Sequence, residues 1–591
     1  MASRAPQPQS LAPDAPHPLP RLPSRTASPL DWLPVLSLPV PFSLDNFTNG
    51  ILDLVHQPEH SSTTILRADI LEDDDAPAPD AFPLEGYRST RRIRRRILPS
   101  RPQFDHAMEQ ECLFYERTVG DTPDDVEGAV FLLPDFEQLK MEDPHGRLPY
   151  YHPQCHALAF RYLPASLSSS TPPAPALRID LVPLPSPSSS PSQPAPAALK
   201  PTDRLYRTAL ALVKFSSKVC AGKADGWQKR VHHDLLAGKE QVQDLYQVLK
   251  DKYKTNLHPP SPHSPRLTFR WLLHAWKEGT DPEKHVFEDV AIAAWLVCVW
   301  RALYPDTDGK PPGGFVDVGC GNGLLVYILN AEGFPGYGFD LRARKSWASY
   351  APAPDLRVLS LDPVALLSSA FPAPSSAPSS PADEPDPAAE TVGTVETVES
   401  FPRDAFLIGN HADELTPWLP LLAASTPGRR VGFLNIPCCL HEHVGRFERQ
   451  AFSVPAEVLA AWPAPSVVGE DEAGEGEGAT HPLLAPFYAP TPALAPATTT
   501  TATGQGGRYH AYQLYLASLT LQCGFVPERE ALRIPSTKNF GMLGRRRLWG
   551  AGEEEEEEGR RRVGENVRRL VQEVQKKGEW RARRPEGKAG H

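Results

Sequence analysis

Gly319, Gly321 and Gly323 stand at alternate positions directly after Phe315-Val316-Asp317-Val318 and directly before Leu324-Leu325-Val326-Tyr327-Ile328-Leu329. Few folds accept that order. An apolar four-residue run reads as a short buried strand, and the apolar run after the glycines reads as the start of a helix. Three glycines between them supply a turn in which backbone, free of Cβ atoms, approaches a ligand closely. Asp340 ends the next strand-like run, Tyr337 to Phe339. Its distance from the glycines suits the acid of a nucleotide-binding βαβ unit, where a carboxylate accepts from both hydroxyls of a ribose. A tight glycine turn without a ligand is the plainer alternative.

The dinucleotide fingerprint Gly-x-Gly-x-x-Gly fails here, because its third glycine would fall on Leu324. Asp-x-Gly-x-Gly-x-Gly, with Asp317 inside the strand, resembles motif I of class I S-adenosylmethionine-dependent methyltransferases. An acid at that point suits a cofactor that carries an ammonium and a sulfonium. The expected cofactor residues are Asp317, Gly319, Gly321, Gly323, Asp340 and Asp362, the last ending the strand-like run Arg357–Leu361 and facing the adenine amine.

The elements after residue 281 alternate in the order of an α/β doubly wound sheet. Strands are expected at 315–318, 337–340, 357–361, 405–409, 430–436, 525–534 and 540–543, with helices at 323–332, 415–424 and 509–523. The fold class is therefore α/β, a Rossmann-like seven-stranded sheet over 281–548 preceded by an α+β unit over 81–280. In that unit His156–Tyr162 and Leu177–Leu184 read as strands and Asp203–Cys220 as a helix. Asp225–Tyr253 reads as a second helix, basic at its start (Lys229, Arg230, His232, His233), and Asp281-Pro282 opens a third that packs behind the glycine turn.

The 67 prolines fall mostly at 1–30, 163–203, 351–400 and 462–507, in Pro/Ala/Ser/Thr-rich stretches unable to form a core. Residues 1–80 are expected to be largely disordered, with a linker at 163–203, insertions at 363–403 and 441–507, and a charged tail or helix at 549–591. The net charge is −11, yet 21 of the 72 acids lie in four runs (72–75, 383–399, 470–477 and 553–558) without Lys or Arg. The remaining 51 acids face 61 bases, a basic body of the kind a nucleic-acid partner favours. Eight cysteines without framework spacing fit a reducing compartment, and no apolar run is long enough to span a bilayer. The cytoplasm is the expected location, and no obligate protein partner is evident. Within the tail, 560–585 reads as a basic amphipathic helix that either docks on the core or contacts RNA.

In a sheet of this kind the acceptor meets the methyl donor above the ends of strands four and five. Strand four ends in Asn410-His411-Ala412-Asp413-Glu414-Leu415-Thr416. The Asn-Pro-Pro-aromatic pattern of amino-methylating enzymes is missing, whereas Asn410, His411, Asp413 and Glu414 suit a hydroxyl that must be positioned and deprotonated. Helix capping by Asp413 or Thr416 is the competing reading. Strand five ends in Ile436-Pro437-Cys438-Cys439-Leu440-His441-Glu442-His443. These residues read as a pocket wall, a cysteine nucleophile or a zinc site. Adjacent cysteines meet one ion awkwardly, so no metal is expected. Lys538 and Arg545 are candidates to stabilise an alkoxide or contact RNA. Arg91, Arg92, Arg94, Arg95 and Arg96 form the best candidate phosphate clamp, with a nuclear-localisation signal as rival.

The combination resembles the eukaryotic tRNA (uracil-2′-O-)-methyltransferases that modify uridine 44 of serine tRNA. The motifs that carry the likeness are 315–327, Gly-Tyr-Gly-Phe-Asp-Leu-Arg-Ala-Arg-Lys-Ser-Trp at 336–347, Leu-Ile-Gly-Asn-His-Ala-Asp-Glu-Leu-Thr-Pro-Trp at 407–418, Ile-Pro-Cys-Cys at 436–439 and Leu-Arg-Ile-Pro-Ser-Thr-Lys-Asn at 532–539. Shorter matches lie at 95–101, 229–234 and 286–294. The resemblance implies methyl transfer from S-adenosylmethionine to a ribose 2′-hydroxyl of tRNA. Some members of that family carry a C-terminal zinc finger; none is expected within these 591 residues, so any RNA grip of that kind is expected from elsewhere, such as the arginine-rich tail.

Overall fold

The structure, a computed structural model, describes residues 6–21, 30–75, 84–100, 105–143, 145–168, 173–184, 198–226, 234–255, 278, 282–372, 395–462, 482–487, 507–534, 536, 538–550, 552–578 and 580. The chain divides into two compact units, Met1–Gln228 and Lys229–His591. Among the described residues no helix is long and apolar enough to cross a membrane.

The first unit is an eight-stranded antiparallel sheet with two helices on one face. Its strands are β1 (Gln9–Ser10), β2 (Leu33–Pro39), β3 (Ile65–Asp74), β4 (Arg88–Pro99), β5 (Met108–Thr118), β6 (Val126–Pro134), β7 (Cys155–Leu163) and β8 (Ala176–Pro183), in the order β1-β2-β8-β7-β6-β5-β4-β3. Between them run α1 (Leu44–His56) and the short α2 (Phe136–Glu142), and α3 (Arg204–Ala224) closes the unit. Ser43 caps α1 by accepting from the Asn46 amide, one of the donors a helix start leaves unpaired. Phe47, Ile51 and Val55 of α1 and Tyr206, Val213 and Cys220 of α3 pack on Ile93, Phe114, Phe160 and Ile179 of the sheet. The two helices meet at Gly50, where an added Cβ would lie 2.5 Å from Cys220 Sγ.

Several expectations for this half are corrected. Residues 33–74, expected to lie in a largely disordered region, form β2, α1 and β3, because Leu33, Val35, Leu36, Leu38, Phe47, Ile51 and Val55 supply a buried stripe. The stretch 163–203 carries β8 in its middle rather than serving only as a linker. The boundary expected at 280 lies at 228, and the expected 225–253 helix starts at Lys239. Lys229, Arg230, His232 and His233 lie outside the described residues. The arginine run is no free clamp. On β4, Arg91 pairs with Asp73 and Asp75, Arg92 with Glu111 and Glu72, Arg94 with Glu72 and Glu109, and Arg96 with Glu142 and Glu109. Alternation along the strand turns Arg95 inward, where it is buried and donates to Gln110 and to the Leu54 and Val55 carbonyls. The acids of 72–75 therefore neutralise the cations nearest to them, and the basic surplus expected of the body shrinks.

The second unit opens with α4 (Lys239–Thr255) and α5 (Pro282–Leu303) and then builds a seven-stranded sheet. Its strands are β9 (Phe315–Val318), β10 (Gly336–Asp340), β11 (Leu356–Val358), β12 (Phe406–Asn410), β13 (Gly432–Ile436), β14 (Glu528–Ala531) and β15 (Phe540–Gly544), ordered β11-β10-β9-β12-β13-β15-β14. β15 alone runs opposite to the other six strands. The helices between are α6 (Leu324–Ala331), α7 (Pro363–Ala370), α8 (Leu419–Ser425), α9 (Ala456–Ala460), α10 (Arg508–Gln522) and α11 (Glu553–Lys577).

Side-chain alternation sorts the sheet into two cores. Phe315, Phe406, Ile408, Leu434 and Leu543 face α4, α5 and α6, with Trp300 of α5 stacked on Phe315 at 5.9 Å. Val316, Val318, Leu407, Phe433 and Met542 face α7, α8, α10 and α11. Asp317 shares a face with Phe315 and so points at α5. The tail helix docks: Val563, Val567, Leu570, Val571 and Val574 are buried in the second core. The acidic run at 553–558 forms its first turns, where carboxylates favour the positive end of the helix dipole and pair with Arg560, Arg561 and Arg562.

Candidate active site

The glycine turn after β9 has a backbone that other residues resist. Gly319, Gly321 and Gly323 have φ of 75°, 53° and 76°, the left-handed region that costs a side-chain-bearing residue about 1–2 kcal/mol. The Gly319 and Cys320 amides donate to the Phe339 carbonyl at 3.0 and 2.9 Å, which fixes the turn against β10. A Cβ on Gly321 would meet nothing within 4 Å, so open space lies over that backbone. One on Gly323 would strike Leu356 at 2.6 Å.

Three carboxylates converge beside this turn. Asp317 is 2% exposed and its Oδ1 has no hydrogen-bond partner. Asp289 of α5 is buried and accepts from Asn410 Nδ2 at 3.1 Å. Asp340 accepts from the Gly321 amide at 3.1 Å, with Arg344 at 3.6 Å. Burial pushes the Asp317 carboxyl well above its usual range, and the charges of Asp289 and Asp340 add to the push. Asp289 is pushed up to about 7, first by burial and then by Glu288, against the opposing pull of His411 and Asn410. An unpartnered buried carboxylate oxygen is costly unless something cationic meets it. The donor set therefore fits a cofactor with an ammonium and a sulfonium and repels a pyrophosphate.

A brace holds the turn from outside. Ser346 Oγ and Tyr350 Oη donate to the Asn322 carbonyl at 2.9 and 3.0 Å, Trp347 Nε1 donates to the Gly321 carbonyl at 2.9 Å, and Glu278 accepts from Ser346. Asp362, expected against adenine, is exposed and instead caps α7, its Oδ1 accepting from the Val364 and Ala365 amides at 2.9 and 3.0 Å. The Pro363 at the first helical position sets that role.

At the end of β12 the chain kinks through two left-handed residues, His411 at φ 56° and Asp413 at φ 46°. Such strain persists only where the surroundings impose it. His411 Nε2 lies 3.2 Å from Glu288 Oε1, and Glu288 is buried. Burial opposes the charged imidazole, yet Glu288, Asp289 and Asp413 together carry its pKa above the ordinary value. Asp413 caps nothing, since the turn at 413–418 has no side-chain cap. It accepts from Cys438 Sγ at 3.5 Å instead, and Asp413, Cys438 and Cys439 form one cluster. Lys538 Nζ donates to the Cys438 carbonyl. The Cys438 thiol bonded to Cys439 holds the latter below its usual range, against burial and with help from Lys538. Asn410, His411 and Asp413 are thus brought together with Lys538. Glu414 follows in the same turn.

Arg545 does not reach this place. It pairs with Glu528 on the adjacent strand at 2.7 Å, because β14 and β15 lie side by side. His443 turns away from the cysteines to the Pro417 carbonyl at 3.2 Å and the Trp418 ring, and burial lowers its pKa to about 4. Sequence reasoning missed Glu288, Asp289 and the brace. The signal for the first two was present: adjacent acids inside the apolar run 286–299, where a helix buried on all sides keeps carboxylates only for partners.

A doubly wound sheet with a glycine turn, an acidic unsatisfied pocket and a polar strand end defines an S-adenosylmethionine-dependent methyltransferase. Residues 236–361 match the family model "Predicted AdoMet-dependent methyltransferase", and residues 9–230 match "TRM44-like, N-terminal bet v1-like domain". A tRNA (uracil-O(2)-)-methyltransferase of Neurospora crassa is 32% identical over 559 residues, covering 91% of each chain. One of Schizosaccharomyces pombe is 32% identical over 90% of this chain and 88% of its own, and one of Yarrowia lipolytica 29% identical over 88% and 90%. The chain belongs to the tRNA (uracil-O(2)-)-methyltransferase family.

Proposed function

We propose that this chain transfers a methyl group from S-adenosylmethionine to the 2′-hydroxyl of a tRNA uridine, at position 44 of serine tRNA, in the cytoplasm, on a class I Rossmann-like sheet. The observation that carries the reading is the unpartnered, buried Asp317 Oδ1 beside Asp289 and Asp340, next to a histidine held by a buried glutamate. S-adenosylmethionine, when bound, supplies a methyl on a positively charged sulfur leaving group.

The residues divide the work by position. Asp317 and Asp289 oppose the positive charges of the donor, Asp340 accepts from its ribose hydroxyls, and the Gly319–Gly323 backbone lets it sit against the strand end. With Nε2–H donated to Glu288, His411 keeps Nδ1 as an acceptor for the ribose hydroxyl proton. As the ribose oxygen takes the methyl that the bound donor would supply, leaving a neutral thioether, the hydroxyl proton passes to His411 Nδ1. Alignment of the reacting atoms supplies on the order of 7–11 kcal/mol where it is good. Asn410 bridges the two halves through Asp289. Lys538 contributes positive charge beside the acceptor.

The test is methylation of total tRNA from cells lacking this chain, followed by mapping of ribose methylation. The expected result is one new 2′-O-methyluridine, at position 44 of serine tRNA, lost with Asp317→Ala. Methylation of a base or of protein alone would overturn the reading.

A further inference from the structure

The end of β13 carries a second device that the methyl-transfer reading does not use. Asp413, Cys438 and Cys439 place one carboxylate oxygen and two sulfurs within 4.8 Å of one another. All three side chains are half-buried, so the cluster opens to solvent. His441 and His443 take no part, and the ligand that joins the cysteines comes from the neighbouring strand end.

From this geometry we infer that Asp413, Cys438 and Cys439 form a three-ligand site for a thiophilic divalent cation, zinc, with the fourth position open. Zinc–sulfur bonds of about 2.3 Å and zinc–oxygen bonds of about 2.1 Å in a tetrahedron set sulfur and oxygen about 3.6 Å apart and two sulfurs about 3.8 Å apart. Cys438 Sγ and Asp413 Oδ1 are 3.5 Å apart. The separations from Cys439 Sγ are within 4.8 Å, so that sulfur closes on an ion by moving about 1 Å at most. Three protein ligands with one open position is the arrangement of zinc sites that bind a substrate oxygen, whereas structural sites fill all four. The left-handed backbone of Asp413, at φ 46°, is the strain that brings this carboxylate to the thiols. Lys538 is anchored on the Cys438 carbonyl and offsets part of the negative charge of two thiolates and a carboxylate. Binding releases the thiol protons to solvent.

Asp413 stands two residues after His411 in the chain. Resting on the proposed methyl transfer, the ion would hold the acceptor hydroxyl and make its proton easier to remove, as a bound divalent cation does for water. Metal binding itself stands apart from that role and is tested apart from it.

Untagged full-length protein, purified without chelator, is analysed for metal by plasma mass spectrometry. It is then stripped and titrated with Co²⁺ alone. The expected result is about one zinc per chain, and a thiolate-to-cobalt charge-transfer band with tetrahedral d–d bands that zinc abolishes. Cys438→Ser and Cys439→Ser each lose about half of that band, since one of two sulfurs remains. Asp413→Asn weakens cobalt affinity. Zinc also shields Cys438 and Cys439 from alkylation by N-ethylmaleimide in the wild-type chain, a readout independent of how the variants fold. Substoichiometric metal with no charge-transfer band overturns the inference, as does a Cys438–Cys439 disulfide that persists without reductant. Donor binding by calorimetry and tRNA methylation on the same preparations separate the two proposals. A chain that binds zinc but methylates nothing sinks the methyl-transfer reading alone, and an active metal-free chain sinks the ion's part in methyl transfer, the cobalt titration deciding the site itself.

Discussion

Asp289→Asn should change how binding of the methyl donor depends on pH more than it changes binding itself. The Asp289 carboxyl is pushed up to about 7 by burial and by Glu288, so in the donor-free protein at pH 6 it is about 0.9 protonated, and at pH 8 about 0.1. A cationic donor beside it favours the carboxylate and expels that proton. Linkage then makes the apparent Kd fall about tenfold between pH 6 and pH 8, with about 0.9 proton released from this site at pH 6. The assay is calorimetry of S-adenosylmethionine binding in buffers of different ionisation enthalpy, from which the proton count follows directly. In Asp289→Asn the count at pH 6 should drop by about 0.9 and the affinity trend should flatten. The same sign governs stability. A carboxyl raised above its unfolded value of 3.8 stabilises the donor-free fold at low pH, and that contribution is lost as pH rises toward 7. Donor binding should restore it. Equal proton release from wild type and variant, or proton uptake by both, would refute the claim that buried acids await a cation.

Glu288→Gln, which keeps the size but not the charge that holds His411 at 3.2 Å, should lower single-turnover methyl transfer by about 10²-fold, with donor affinity unchanged at pH 8, where Asp289 is already ionised. An unaltered rate would remove His411 from the proton path. Gly323→Ala must adopt φ 76° and place its Cβ 2.6 Å from Leu356, so the second unit should lose at least about 1–2 kcal/mol in thermal or urea unfolding. In the first unit, His152 is buried against Gln110 and its pKa is lowered to about 4. Its contribution is present above pH 6.5 and is lost as pH falls toward 4, so wild type should lose about 2–3 kcal/mol more than His152→Gln across that window in urea melts.

The sheet of the second unit was legible because its strands are short apolar runs punctuated by glycines and proline-rich insertions. All seven lie within a few residues of where alternation and turn residues put them. The turn after β9 was legible in its glycines, because their left-handed backbone answers a local demand that only glycine meets cheaply. What escaped were residues whose role depends on distant partners. Asp289 reads as one polar interruption of an apolar helix until β12 brings Asn410 to it. Asp362 looked like a ligand contact because its place after a strand suits one, yet Pro363 beside it makes a helix start. The first unit hid behind its composition: β3 and β4 are so charged that their period of two is masked by salt bridges across the pair.

That charged pair has a consequence of its own. Arg91, Arg92, Arg94 and Arg96 of β4 each have a choice of two acids, drawn from residues 72–75, β5 and α2. Removing any single acid leaves its arginine a second one, so the surface tolerates piecemeal loss. A polyanion meeting this ribbon finds its cations already engaged and must evict carboxylates one after another. The strand that looked in sequence like a handle for RNA is therefore insulated by its own neighbours.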